Sequence, residues 1–78
     1  MMNTRFKTAI ENTADIRAEV YSFGGHVEAR LIAHGIDTGL RMQYGTMTKA
    51  DKELRSFGME RKEMAAGPDL LAVYTKAA

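Results

Sequence analysis

Within residues 16–33, Gly24-Gly25 sits between two runs of alternating apolar and polar side chains. Alternation with a period of two is the mark of a strand with one buried face. A two-glycine connection admits the positive φ angles of a tight hairpin turn. Counting outward from that turn sets the register. Ser22 faces Val27, Val20 faces Ala29, Ala18 faces Leu31 and Ile16 faces Ala33, which makes one side almost wholly apolar. The other side pairs Tyr21 with Glu28, Glu19 with Arg30 and Arg17 with Ile32. A slip of one residue would exchange the two faces, so the register is strongly specified. A cross-strand Glu19–Arg30 ion pair, of ~0.2–1 kcal/mol, favours the same alignment.

The rest of the chain is read around this hairpin. Residues 34–39 have turn composition, and Leu40, Met42 and Tyr44 then alternate with Arg41 and Gln43 as a third strand. Thr48, with Asp51 three residues on, predicts a helix N-terminus. The helix buries Ala50, Leu54 and Phe57 and turns Lys49, Lys52, Arg55 and Ser56 outward, with Gly58 at its end. Residues 59–66 read as a second helical piece stopped by Gly67-Pro68. Near the N-terminus, 4–12 reads as a short helix with Phe6 and Ile10 one turn apart. In 69–76, Leu71 and Val73 share one face and Leu70, Ala72 and Tyr74 the other; this predicts a fourth strand, a terminal helix being the alternative. The expectation is one α+β domain over 1–78, a small antiparallel sheet of three to four strands with helices packed on one face.

Composition narrows the function classes. The 78 residues include no cysteine, which removes disulfides, Cys-ligated zinc and thiol catalysis, and predicts a reducing, cytoplasmic setting. No apolar run has the ~18–20 residues of a membrane span, and no signal-peptide core is seen at the N-terminus. A domain this small buries only ~60% of its unfolded surface. Without staples, association with a second copy or with a larger partner is the expected source of added stability.

Catalytic chemistry finds little to work with. Ser22, His26 and Asp37 spell a hydrolytic triad, but the hairpin register points the Ser22 hydroxyl and the His26 imidazole to opposite faces, and no nucleophile elbow is present. The chain is therefore expected not to be an enzyme. His26 and Glu28 share a face, and His34 and Asp37 lie near a turn, but this spacing is no zinc motif, so no metal is expected. The glycines fall at element boundaries and form no phosphate cradle, so no cofactor is expected either.

Two surfaces remain. Lys49, Lys52 and Arg55 form a basic helix stripe that Arg61 and Lys62 would extend, a candidate nucleic-acid surface. Acidic residues are interspersed with it, and the formal net charge is only +1. Up to Gly39 the chain has four basic and five acidic residues, and after it seven and five. The outer sheet face offers Arg17, Glu19, Tyr21, Phe23, Glu28 and Arg30, with Ile32 among them and Arg41 and Gln43 alongside. Its carboxylates would repel phosphate, and only Tyr21 and Phe23 are available to stack bases. Aromatic residues rimmed by Arg and Glu are the usual composition of a protein-binding patch, and this is the preferred site. Six methionines suit an adaptable surface as well as a core. Edge strands in so small a sheet also invite pairing with a second copy, as a homodimer.

With the hairpin R-A-E-V-Y-S-F-G-G-H-V-E-A-R-L, the later T-K-A-D-K-E-L helix and no catalytic motif, the chain resembles in size and layout the small proteins that bacteriophages use against host defences, of the anti-CRISPR type. The resemblance implies a non-catalytic inhibitor that blocks a large host nucleoprotein by occupying its nucleic-acid or partner site. Such proteins share no sequence signature, so it assigns no individual residue a role.

Overall fold

The computed structural model describes residues 4–62 and 69–77. Its elements run α1 (Thr4–Asn12), β1 (Ile16–Phe23), β2 (His26–Ala33), β3 (Ile36–Tyr44), α2 (Met47–Ser56), β4 (Met59–Lys62) and β5 (Leu70–Lys76). The Gly24-Gly25 hairpin forms in the register that its alternation dictates, from Ile16 opposite Ala33 to Ser22 opposite Val27. Gly24 takes φ 57°, which an L side chain rarely adopts.

Among the described residues the sheet has five strands, one more than the upper expectation, in the order β3-β2-β1-β5-β4 with every neighbour antiparallel. The additional strand is β4. Helix-forming Met, Glu, Arg and Lys side chains predict a helix there, yet Met59–Lys62 pairs along β5 from Met59 opposite Lys76 to Lys62 opposite Val73. A helical piece as short as the expected 59–66 is marginal by itself, and a ladder to β5 satisfies the backbone of 59–62 instead. The remainder of the expected helical piece, with its Gly67-Pro68 stop, lies outside the described residues.

Helix α2 begins earlier than expected. Thr46, not Thr48, is the N-cap, its hydroxyl accepting from the Lys49 amide at 3.2 Å. At the other end the Gly58 amide donates to the Arg55 carbonyl at 3.0 Å, and φ 89° at Gly58 turns the chain into β4. The helix carries the chain across the sheet, from β3 at one edge to β4 at the other.

Both helices lie on one face. Phe6 and Ile10 of α1, with Ala50 and Leu54 of α2, join Ile16, Ala18, Val20, Val27, Ala29, Leu31, Met59, Ala72 and Tyr74 in a single core. Polar ties fix the helices over it. The Tyr74 hydroxyl, on a fully buried side chain, donates to Asp51, and the Tyr44 hydroxyl donates to Glu53 at 2.5 Å. Lys76 donates to the Glu11 and Thr13 carbonyls at 3.1 and 3.3 Å, where the end of α1 leaves acceptors unpaired. Burial, then the bond to Asp51, pushes the Tyr74 hydroxyl up, and the Tyr74 bond, opposed by burial and aided by Arg55, holds the Asp51 carboxyl down.

The two sheet edges are blunted. On β3 the expected long turn reduces to His34 and Gly35, both at positive φ, and the strand begins at Ile36. A bulge follows. Between the pairs Arg30–Arg41 and Ile32–Asp37, β2 advances two residues and β3 four. Thr38 fills the broken ladder by donating its hydroxyl to the Leu31 carbonyl at 2.8 Å, and Asp37 accepts from the Gly39 amide at 2.8 Å. At the other edge the β4 residues Glu60, Arg61 and Lys62 are all exposed. Bulges and charged edge residues both disfavour edge-to-edge pairing.

Candidate functional site

Because β1 and β2 alternate so regularly, every residue that skips the core arrives on the opposite side of the sheet. Neither described helix covers that side. It displays Arg17, Glu19 and Tyr21 from β1, Glu28 and Arg30 from β2, and Arg41 and Gln43 from β3, with Phe23 and His26 at the hairpin end. All six residues expected to bind a partner, Arg17, Glu19, Tyr21, Phe23, Glu28 and Arg30, are therefore brought together.

Their side chains form a continuous lattice. Glu19 accepts from the Tyr21 hydroxyl at 2.7 Å and from Arg17 Nε at 2.8 Å. Glu28 Oε2 accepts from Arg30 Nε at 3.3 Å and lies 3.1 Å from Arg41 Nε. Arg41 in turn grips Asp37 with both terminal nitrogens, at 2.9 and 2.7 Å. The two halves meet where the Arg30 guanidinium lies over the Tyr21 ring, 4.4 Å from its centre, and 5.3 Å from that of Phe23. Phe23 itself stacks on His26, with ring centres 6.0 Å apart.

This arrangement corrects one expectation. Glu19 and Arg30 are directly opposite in the backbone register, but neither accepts or donates a hydrogen bond to the other. Each takes a partner two residues away on its own strand, since side chains at i and i+2 share a face. Ile32 is a second correction. It belongs to this face by register, yet only 7% of it is accessible, so it supports the surface and contributes little contact area.

The electrostatics follow the geometry. Burial pushes the Glu19 carboxyl up, but the Tyr21 and Arg17 hydrogen bonds and the nearby arginine charges outweigh it and hold the group below its ordinary value. The Tyr21 hydroxyl is raised, first by its bond to Glu19 and then by burial. Arg41, then the Gly39 amide, keep Asp37 well below the usual carboxylate range. Sequence reasoning did not include Asp37 or Arg41 in the binding set. Their i, i+4 spacing is a helix signal, and only the bulge in β3 brings them side by side.

The alternative basic stripe is broken up. Lys49 and Lys52 are exposed and flank a groove of about 390 Å³ lined also by Tyr44, Glu53 and Ser56. Arg55 is engaged by Asp51 at 2.9 Å. Arg61 and Lys62 are on β4 rather than a helix, and consecutive strand residues point to opposite faces, so the two do not extend one stripe.

Ser22 pairs with Val27 on the core side while His26 stacks on Phe23 outside, and Asp37 is held by Arg41; the three do not converge. No cluster of three or more His, Cys, Asp or Glu side chains arranged to hold a metal is found among the described residues. Glu28, the companion of His26 in sequence, is occupied by two arginines. Comparison of the chain with protein-family models, with curated proteins and with solved structures finds no match in any of the three.

Proposed function

We propose that this chain is a non-catalytic interaction module that binds a larger protein or nucleoprotein through the outer face of its sheet. One observation carries the reading: Arg17, Glu19, Tyr21, Glu28, Arg30 and Arg41 are locked into a single hydrogen-bonded and stacked lattice on a face that neither described helix covers. Side chains already fixed by their neighbours lose little freedom on docking, which favours tight and specific binding. Tyr and Arg are also the residue types that dominate binding hot spots. Bulged and charged edges favour this face over strand pairing as the contact surface.

The layout resemblance to anti-defence proteins implies a partner class: a host nucleoprotein whose working surface the module would occlude. The competing nucleic-acid reading rests on Lys49 and Lys52 beside their groove.

The test is affinity capture from a bacterial lysate followed by mass spectrometry, with and without nuclease. It compares the unmodified chain, a Tyr21→Ala, Arg30→Ala pair and a Lys49→Ala, Lys52→Ala pair. The expected outcome is a partner that survives nuclease, is kept by the lysine variant and is lost with the outer-face variant. Capture indifferent to Tyr21 and Arg30 removes this face from the reading; loss on nuclease treatment, or with the lysine variant, favours nucleic acid.

A further inference from the structure

The outer-face lattice is balanced in formal charge but not in hydrogen-bonding capacity. Each of its carboxylates is already doubly engaged: Glu19 by Tyr21 and Arg17, Glu28 by Arg30 and Arg41, Asp37 by Arg41 and the Gly39 amide. The arginines differ. Arg41 spends both terminal nitrogens on Asp37, whereas Arg17 and Arg30 each commit only Nε and make no hydrogen bond through their terminal nitrogens among the described residues. A guanidinium anchored through Nε keeps a planar two-donor edge, which matches a carboxylate bidentately. In Arg30 that edge is held in place by the Tyr21 ring beneath it.

We infer that the outer face recognises an acidic segment of its protein partner: an Asp or Glu carboxylate taken by the terminal nitrogens of Arg30, with Arg17 alongside, and an adjacent apolar side chain resting on Phe23. This rests on the interaction reading above and supplies its chemistry. Arg17 lies opposite Ile32, two residues along β2 from Arg30, so the two residues are diagonal neighbours on one face, with Arg30 leaning over Tyr21 toward Phe23 and Arg17 turned to Glu19. Phe23 is 40% exposed and within 5.3 Å of the Arg30 guanidinium, which sets an apolar contact beside the charged one. A phosphate has the same two-acceptor edge, but a polyanion would bring repeated charges over Glu19, Glu28 and Asp37, whereas a single carboxylate beside an apolar residue would not.

The experiment is selection of short random peptides displayed on phage against the immobilised full-length chain, followed by binding measurements on the recovered peptides. Expected are peptides with Asp or Glu next to an apolar residue. Their affinity falls about tenfold or more with Arg30→Gln, and nearly as much with Arg30→Lys, which keeps the charge and loses the planar edge. Circular dichroism and thermal melting of each variant separate lost binding from lost fold. Glu28→Ala removes the acceptor of Arg30 Nε without removing the guanidinium, and is expected to weaken the same peptides less.

Recovery of apolar or basic peptides that depend on Tyr21 and Phe23 but not Arg30 would overturn the carboxylate inference and leave the interaction face standing. Peptides insensitive to all three residues would overturn both. Failure to enrich any peptide, or displacement of the peptides by a single-stranded oligonucleotide at equal charge concentration, also counts against the acidic-segment reading.

Discussion

The two faces of one sheet use the same strands in opposite ways. On the covered face, Val20, Leu31, Leu54 and Tyr74 are shut off from water, and the Tyr44 and Tyr74 hydroxyls tie strand to helix. On the open face Arg17, Glu19, Tyr21, Glu28 and Arg30 are hydrogen-bonded to neighbours on their own strands, around the nearly buried Ile32 and Val73. Burial of apolar area drives folding, while exposed ion pairs add little to it. Stability therefore belongs to one face, and the other has residues to spare for recognition.

That division is open to attack at several points. The greatest loss is expected from Leu54→Ala, which opens a cavity under α2 and costs about 2–5 kcal/mol by urea unfolding; a loss below 1 kcal/mol would mean the helix is not pinned as described. Tyr74→Phe keeps the ring and removes the donor to Asp51, with an expected cost of about 1–2 kcal/mol, read as a lowered melting temperature.

The same residues set the pH response. Tyr74 and Tyr44 have raised folded values, so their contribution is complete below about pH 10 and declines as pH rises through the folded values. Asp51, Asp37 and Glu19 have depressed folded values, so their contribution is present above about pH 4 and is lost on further acidification. Denaturation midpoints measured across both ranges test this, and Asp51→Asn is expected to flatten the acid limb. The smallest effect belongs to the open face: Arg30→Ala is expected to cost under about 1 kcal/mol of stability in a thermal melt. A cost as large as that of Leu54→Ala would end the separation of roles.

The legible parts of this fold were those governed by local pattern. Gly24-Gly25 and the alternation on either side specify the hairpin register residue by residue, and Phe6, Ile10, Ala50 and Leu54 mark the helical core faces. Tertiary context decided the rest. Met59–Lys62 is a strand only because β5 is there to receive it, and β5 lies between β1 and β4 through a crossover that no local pattern encodes. For the site, face membership could be read from the period of two. The pairing within it could not, because Glu19 and Arg30 each had several partners in reach, and the bulge that joins Asp37 to Arg41 has no hydrophobic signature.

The strand order has a consequence for how the molecule is made. Strands β1, β2 and β3 form a meander of adjacent hairpins, available to assemble as soon as Tyr44 has emerged during synthesis. The free side of β1, however, is matched by β5, some fifty residues further on in the chain. Until Leu70–Lys76 arrives, the middle of the future sheet is a raw border with its amides and carbonyls unanswered. The nascent chain is thus most exposed to errant partners at the place where the finished protein is most enclosed.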